Sequence, residues 1–192
     1  MLIKELLGEI HLKIVYFGPG MSGKTTNLQM IHSRINPTNR GKLTTIKTRE
    51  ERTLFFDFMQ VKMGKICGLT PKFNMYTVPG QSYYKVTRKL VLIGVDGVVF
   101  VADSQPEKMQ ENIDSFRDLN YFLREMGQSF RSVPIILQCN KQDLPDAVKP
   151  EIIRQKLAAN HLTCFPAVAI KGIGVFETLQ RVIVSVGQMI TS

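Results

Sequence analysis

A glycine-rich loop near the start of the chain constrains its fold more than any other feature. The loop reads Gly-Pro-Gly-Met-Ser-Gly-Lys-Thr at residues 18–25, directly after the apolar run 12–17 and at the start of the amphipathic run 24–35. Between a strand and a helix, this pattern wraps a phosphate group with inward-pointing backbone N–H groups, and the helix adds the positive end of its dipole. The sequence therefore predicts a strand, a phosphate-binding loop (P-loop) and a helix in that order.

Two side chains of the P-loop carry the expected phosphate chemistry. Lys24 is a movable point charge for the β and γ phosphates of a nucleotide, and the Thr25 hydroxyl is placed to bind Mg²⁺. A glycine turn with a purely structural role would require neither of them. The other P-loop residues that we expect to bind the nucleotide are Gly18, Gly20, Met21, Ser22, Gly23 and Thr26.

A second motif, Asn140-Lys141-Gln142-Asp143, predicts which base is bound. It follows the predicted strand 133–139, and open α/β sheets bind ligands at the carboxyl ends of their strands. The Asp143 carboxylate accepts from both the N1–H and the exocyclic amine of guanine, whereas adenine offers no such donor pair. Taken alone, the tetrapeptide also suits a turn or a helix cap, so the prediction of GTP or GDP rests on its combination with the P-loop.

The surroundings of this motif predict further contacts to the base. The aliphatic stem of Lys141 covers the purine, and Asn140 ties its loop to the P-loop. The strand predicted at residues 164–170 ends at the same edge, where we expect the Ala169 N–H to donate to the guanine O6 atom, with Ile170 beside it.

Strand and helix patterns alternate along the whole chain. Their alternation predicts an α/β fold of the three-layer P-loop NTPase type, with a mostly parallel sheet covered on both faces. The short connection between the second and third strands predicts a hairpin, and hence one antiparallel edge strand in a six-stranded sheet. The predicted strands are residues 12–17, 53–61, 72–78, 95–102, 133–139 and 164–170, and the predicted helices are 24–35, a part of 82–92, 106–126, 150–159 and 175–189.

Composition limits the number of domains, the cellular location and the chemistry of the cysteines. The 192 residues are 44% hydrophobic without a compositional break, which predicts one domain over residues 1–192. The apolar run 95–102 is far shorter than the roughly 20 residues that cross a bilayer, so we expect a cytoplasmic protein. Cys67, Cys139 and Cys164 form no C-x-x-C pair, which favours small buried hydrophobic residues over a disulfide framework or a zinc site.

The formal net charge of +9 is large enough to attract nucleic acid, an anionic membrane or an acidic protein. Basic residues gather within 40–52 and again at Lys85, Arg88 and Lys89, without the aromatic pattern of an RNA-binding surface. A solvated basic face is therefore favoured over a nucleic-acid site. The termini lack a prenylation cysteine and a myristoylation glycine, which leaves peripheral membrane contact at most.

The segment Thr77-Val78-Pro79-Gly80-Gln81 resembles the second switch of the small Ras-like GTPases, and with the two motifs above this resemblance covers almost the whole chain. It implies that the Gly80 N–H contacts the γ phosphate and that Gln81 orients the attacking water. The resemblance narrows to the MglA-type family of bacterial Ras-like GTPases, which act in gliding motility and cell polarity. The segments that carry it are 51–58, 76–81, 88–90, 94–104 and 172–179.

This resemblance implies a slow GTP hydrolase that serves as a polarity switch in the bacterial cytoplasm, with placement at the cell poles. It also implies a dimeric roadblock-fold activator, MglB, which inserts no arginine of its own, and downstream polarity or motility effectors. Arg52 would then be an arginine finger supplied in cis, and Thr53 the switch threonine that meets Mg²⁺ and the γ phosphate. Spacing alone equally fits Arg52 as an exposed charge in a basic loop.

Thr77 departs from the Ras-like pattern, because most of these proteins have an aspartate there that holds Mg²⁺ through water. The MglA-type family shares the departure, and Asp57, a lone carboxylate among phenylalanines, is a possible substitute. Thr53 and Asp57 lie about 13 Å apart on one face of the predicted strand, so an even-numbered slip of the strand would exchange them. We hypothesise that Thr53 approaches GTP and Asp57 approaches GDP, although sequence alone favours an Asp57 that is simply hydrogen-bonded at a sheet edge.

The sequence also suggests a position for one more acidic residue and two other classes of function. Asp103 ends the strand 95–102, and we expect it near the phosphates. The missing carboxylate at Thr77 leaves open a second class of function, a GTP- or GDP-binding interaction protein with negligible hydrolysis. A P-loop phosphotransferase is a third class, but it would require a lid and an acceptor pocket that the sequence does not show.

Overall fold

The computed structural model describes residues 1–46, 56–80, 84–129 and 132–191. These residues form one sheet with helices on both faces. The strands are β1 (Leu2–Lys4), β2 (Glu9–Phe17), β3 (Thr44–Ile46), β4 (Phe56–Lys62), β5 (Thr70–Thr77), β6 (Gly97–Asp103), β7 (Ile135–Asn140) and β8 (Cys164–Pro166). The α-helices are α1 (Lys24–Arg34), α2 (Lys85–Leu92), α3 (Met109–Glu125), α4 (Pro150–Lys156) and α5 (Val175–Thr191).

The strand order is β3-β4-β5-β2-β6-β7-β8, and β1 pairs with the first half of β2. The five strands from β5 to β8 are parallel, whereas β3, β4 and β5 pair antiparallel, as do β1 and β2. The predicted α/β fold with a mostly parallel sheet is confirmed. The predicted number of six strands is wrong, because β1 and β3 have only three residues each and show no readable alternation of polar and apolar positions.

Three other predicted features of the sheet are corrected by the structure. The antiparallel partner of β5 is β4, as predicted, but the edge of the sheet is β3. Of the strand predicted at 53–61, residues 56–61 lie in β4 and residues 53–55 lie outside the described residues. The strand predicted at 164–170 ends at Pro166, and Ala169–Lys171 form a 3-10 turn that closes at Gly172 with a positive φ of 75°.

Burial explains why these segments became strands. Every residue of β6 and β7 is buried, which matches the apolar runs 98–101 and 135–137 that they contain. Along β4 and β5, buried residues alternate with partly exposed ones. One core lies between the sheet and α2, α3 and α4, and a second core lies between the sheet and α1 and α5. The result is the predicted three-layer arrangement.

A buried polar network joins the sheet to the second of these cores. The Asn27 and Gln138 amides exchange two hydrogen bonds of 2.8 and 3.0 Å, and the Gln138 amide nitrogen also donates to the Thr178 hydroxyl at 3.1 Å. All three side chains are fully buried, so their hydrogen bonds compete with no bulk water. Because α1 begins at the P-loop and β7 ends at Asn140, this network fixes the positions of both predicted binding segments. Within the described ranges, no helix combines the length and the apolar character needed to span a membrane.

Gly97 allows α5 to pack closely on the sheet. A Cβ atom on Gly97 would lie 2.6 Å from Cγ2 of Val186 and 3.0 Å from Cγ2 of Val182. Valine side chains have little rotamer freedom in a helix, so they cannot turn away from such an atom. A side chain at residue 97 would therefore force the helix outward.

We expect Gly97→Ala to lower the free energy of unfolding by about 1–3 kcal/mol, because it overpacks this contact. Urea denaturation measures the change. Gly187→Ala is the matched control on α5, since its Cβ would meet only the tip of Ile66 at 3.9 Å. That variant should be neutral or stabilising by up to about 1 kcal/mol, because alanine favours the helix. Equal effects of the two substitutions would contradict the packing argument.

Candidate nucleotide-binding site

The P-loop is held at two positions that only glycine can occupy. Gly18 has a φ of +147°, and a Cβ atom there would lie 2.2 Å from the Val101 carbonyl oxygen. Gly23 has a φ of +100°, and its Cβ would lie 2.2 Å from Nδ2 of Asn140. The loop is therefore packed against the ends of β6 and β7. Glycine is required here both for the backbone conformation and for the close approach.

Two cavities meet at this loop. The larger, of about 640 Å³, is lined by Lys24, Thr25, Asp57, Thr77 and Gly80 among others. The smaller, of about 260 Å³, is lined by Asn140, Lys141, Asp143, Ala169 and Ile170 among others. Both are also lined by Met21, Gly23 and Thr26. Because they share these three residues, the two cavities form one cleft with a phosphate half and a base half.

Lys24 is buried at the floor of the phosphate half. Its ammonium group donates hydrogen bonds to the carbonyl oxygens of Gly18 at 3.1 Å and Pro19 at 2.5 Å. Burial lowers the pKa of Lys24 to about 7, the positive charge of Arg88 acts in the same direction, and the charge of Asp57 opposes them. A bound anion would favour the charged lysine.

Arg88 lies behind the P-loop and is only 1% exposed. Its guanidinium group donates to Asp118 at 2.9 Å and to the Ser115 hydroxyl at 2.8 Å, and it stacks 4.4 Å from the centre of the Phe17 ring. The prediction that Arg88 belongs to a solvated basic face is wrong. Its guanidinium group lies inside the protein and joins α2 to α3 through Asp118 and Ser115.

The Asp57 carboxylate lies at the predicted metal position. One of its oxygens accepts from the hydroxyls of Thr25 at 2.6 Å and Thr77 at 3.0 Å, and the other accepts from the Thr45 hydroxyl at 2.8 Å. Asp57 is hydrogen-bonded, as the simpler alternative predicted, but it does not lie at a sheet edge, because β3 pairs with β4 at this residue and Asp57 is buried. The strand register therefore brings a carboxylate to the threonine that we predicted as a metal ligand.

This set of oxygen atoms fits Mg²⁺, which binds to one or two protein oxygens and to substrate phosphates. The Thr25 hydroxyl and the Asp57 carboxylate supply such oxygens 2.6 Å apart. Among the described residues, no group of three or more His, Cys, Asp or Glu side chains could hold a metal ion without other ligands. A metal here would therefore depend on the phosphates for the rest of its coordination.

Asn140 connects the two halves of the cleft. Its Nδ2 donates to the Ser22 carbonyl at 2.8 Å, which is the predicted tie to the P-loop. Its Oδ1 accepts from the Ala169 N–H at 2.8 Å. The Ala169 N–H, which we predicted as a donor to guanine O6, thus donates to Asn140 in this structure. Ile170 is the next residue of the same turn and lines the base half of the cleft.

Two buried contacts shape the loop that carries Lys141 and Asp143. The Lys141 ammonium is bound by the Asp103 carboxylate at 2.5 Å and by the Gln105 amide oxygen at 2.8 Å. Asp103 is fully buried and thus serves the base half, which corrects its expected place near the phosphates. The Asp143 carboxylate lies 3.2 Å from the Lys171 ammonium.

The remaining predicted site residues divide into two groups. Gly80 lies within the described residues and packs on the P-loop, because a Cβ there would lie 2.4 Å from Cα and N of Gly20. Arg52, Thr53 and Gln81 lie outside the described residues.

The sequence analysis missed Thr45, whose hydroxyl donates to the Asp57 carboxylate at 2.8 Å. A threonine in a three-residue strand carries no local signal of such a role.

Comparison with known proteins agrees with this cleft. A model of the ADP-ribosylation factor family matches residues 1–186, and the chain therefore belongs to this family. It is a small GTPase of the Ras-like class, which binds guanine nucleotides and hydrolyses GTP. The chain is similar to the mutual gliding-motility protein MglA of Myxococcus xanthus (strain DK1622). The two are 49% identical over 174 residues, which cover 91% of this chain and 89% of that protein.

The lowered pKa of Lys24 predicts how the nucleotide-free protein responds to pH. Its ordinary value is 10.5, so between about pH 7 and 10.5 the unfolded chain binds one more proton than the folded chain. Stability should therefore rise with pH through this window, and the cost of the buried charge is fully present below about pH 7.

We expect Lys24→Met to be more stable than the parent protein at pH 6.5, with a difference that shrinks as the pH rises towards 9. Urea denaturation after removal of nucleotide measures this difference. Lys62→Met, at an exposed lysine on β4, is the control and should show no such pH dependence. A stability difference for Lys24→Met that is independent of pH would contradict the assignment.

Proposed function

We propose that the cleft holds GTP or GDP with the phosphates at the P-loop and the guanine beside Asp143. The observation that carries this proposal is a pair of hydrogen bonds at Asn140, which donates to the Ser22 carbonyl and accepts from the Ala169 N–H and so makes one cleft of the two cavities. Such a cleft matches a ligand that is anionic at one end and aromatic at the other. Lys24 at one end and Asp143 at the other supply the charges that recognise each part.

In the base half, the Asp143 carboxylate accepts the N1–H and exocyclic amine of guanine and exchanges its contact with Lys171 for these donors. Ile170 replaces Ala169 as the donor to guanine O6, because the Ala169 N–H is already bound by Asn140. The Lys141 stem covers the purine, since Asp103 and Gln105 hold its ammonium group. Fixing these groups in advance lowers the entropy cost of binding.

In the phosphate half, Lys24 transfers its hydrogen bonds from the P-loop carbonyls to the β and γ phosphates. We propose Thr25 as the protein ligand of Mg²⁺, with Asp57 supplying the negative charge that Thr77 lacks. When bound, the ion neutralises charge on the phosphates. The hypothesis that Thr53 takes the place of Asp57 in the GTP state fits the alternating burial of β4, because an even-numbered slip preserves its buried face.

For hydrolysis, we propose that Gln81 orients the attacking water and that Arg52 stabilises charge on the transferred phosphoryl group. Gly80 packs closely on Gly20 of the P-loop, which supports a role for the Gly80 N–H at the γ phosphate. Through this contact, a bound γ phosphate would position the neighbouring Gln81. A roadblock-fold activator of the MglB type supplies the rate enhancement by ordering these groups. The similarity to the mutual gliding-motility protein MglA supports a role in gliding motility, and the resemblance to the MglA-type family extends this proposal to cell polarity in bacteria.

The choice of base is tested by Asp143→Asn. The amide donates where the carboxylate accepts, so we expect GDP affinity to fall by about 10²-fold or more and xanthosine diphosphate to bind more tightly than GDP. Dissociation constants from fluorescence titration check both effects. Asp146→Asn, at an exposed carboxylate three residues along the same segment, is the matched control and should keep the preference for GDP. An unchanged base preference in Asp143→Asn would refute the assignment.

The proposed role as an activator-stimulated GTPase switch is tested by single-turnover phosphate release with and without a dimeric roadblock-fold protein. We expect intrinsic hydrolysis on the order of 10⁻⁴ to 10⁻² per second, a large increase with the partner, and near-background rates for Gln81→Leu in both cases. Background rates throughout, unchanged by Gln81→Leu, would instead favour a nucleotide-binding interaction protein without hydrolysis.

A further inference from the structure

Two of the three cysteines meet beside the base half of the cleft. Cys139 lies near the end of β7, Cys164 begins β8, and their sulfur atoms are 3.5 Å apart. Cys139 is buried, as the sequence predicts, but Cys164 is partly exposed. The two residues are 25 positions apart in the chain, so no local sequence pattern reveals the pair. Cys67 is exposed and is not part of it.

The surroundings make Cys164 the more acidic thiol. The hydrogen bond from Cys139 lowers the pKa of Cys164, the positive charge of Arg154 adds to this effect, and burial and Glu151 oppose it. The same hydrogen bond, together with burial, raises the pKa of Cys139. A partly exposed thiolate with a second thiol as its neighbour is an arrangement that reacts with oxidants and then forms a disulfide.

Arg154 provides a second, independent observation. Its Nε–H is buried and has no hydrogen-bond partner in the described part of the chain. An unsatisfied buried donor is costly, so the site gains when an acceptor is supplied. The positive charge of Arg154 acts on Cys164 and favours a negatively charged sulfur there.

We propose that Cys164 and Cys139 are a redox site that forms a reversible disulfide on reaction with a peroxide and thereby weakens nucleotide binding. The Cys164 thiolate attacks an oxygen of hydrogen peroxide and breaks the O–O bond, which yields a sulfenic acid and a hydroxide that takes up the proton released by the thiol to form water. The Cys139 sulfur then attacks the Cys164 sulfur and displaces its hydroxyl group, which leaves as water with the proton of Cys139. In total, two thiols and one hydrogen peroxide give one disulfide and two waters. A dithiol reductant restores the thiols.

The geometry of the sheet connects this bond to the cleft. A disulfide requires the sulfurs to approach from 3.5 Å to about 2.0 Å. The two cysteines are diagonal neighbours, because the register pairs Cys139 with Pro166 and Cys164 with Leu137. The approach therefore shifts the end of β7 against β8. Asn140 is the next residue, and the Cys139 carbonyl accepts the Ala167 N–H at 2.8 Å, so the shift reaches both sides of the base half.

The chemistry is tested on the full chain by treatment with hydrogen peroxide, alkylation of the remaining thiols and mass spectrometry. We expect one alkylated thiol, Cys67, and a proteolytic fragment that links Cys139 to Cys164. Cys67→Ser should react like the parent protein, whereas Cys164→Ser should form no disulfide. Cys139→Ala should stop at a sulfenic acid on Cys164 that a dimedone probe captures. Since Cys164 is partly exposed, Cys164→Ser decides the test even if Cys139→Ala fails to fold.

The effect on binding rests on the proposed function and needs its own measurement. We expect GDP to dissociate at least about tenfold faster from the oxidised protein, because binding groups must be held within about 0.5 Å, and reduction should restore the slow rate. A protein that binds GDP but forms no disulfide overturns the inference. A disulfide that leaves GDP dissociation unchanged overturns its regulatory part. A protein that binds no GDP before oxidation contradicts the proposed function instead, whatever the thiols do.

Discussion

The two hydrogen bonds of the Asn140 side chain hold together the three segments on which the site depends. They join the P-loop at Ser22, the end of β7 and the turn at Ala169. Ser22 lies 118 residues before Asn140 in the chain, and Ala169 lies 29 residues after it. The contact exists because Gly23 has no Cβ atom to collide with the Asn140 amide. The buried pairing of Asn27 with Gln138 supports the same alignment from below, so the cleft is fixed before any ligand arrives.

The phosphate half contains several buried charges. Lys24, Arg88 and Asp57 are all buried, and the pKa of Lys24 is lowered because burial and Arg88 disfavour its charge more than Asp57 supports it. Arg88 itself is compensated by Asp118 across the α2–α3 contact. The protein thus compensates the buried charge of Lys24 only in part. A bound polyphosphate corrects this deficit, which is why nucleotide should stabilise the folded chain strongly.

Local sequence patterns predicted the parts of the protein that local chemistry determines. The glycines of the P-loop, the Asn140–Asp143 motif and the apolar runs within β6 and β7 each have their structural reason within a few residues. The failures concern partners that are distant in the chain. A basic pattern cannot show that Arg88 meets Asp118, a strand end cannot show that Asp103 binds Lys141, and isolated cysteines cannot show that Cys139 meets Cys164. The strands β1 and β3 were missed because three residues are too few for a period to appear.

We propose that one cleft, joined by Asn140, recognises guanine nucleotides through Asp143. The most direct test of this proposal is the affinity of the nucleotide-free parent protein for GDP and for ADP, measured under the same magnesium and salt concentrations. The account predicts that GDP binds about 10⁴-fold more tightly or better, because adenine leaves the Asp143 carboxylate without its two donors. Comparable affinities for GDP and ADP would contradict it.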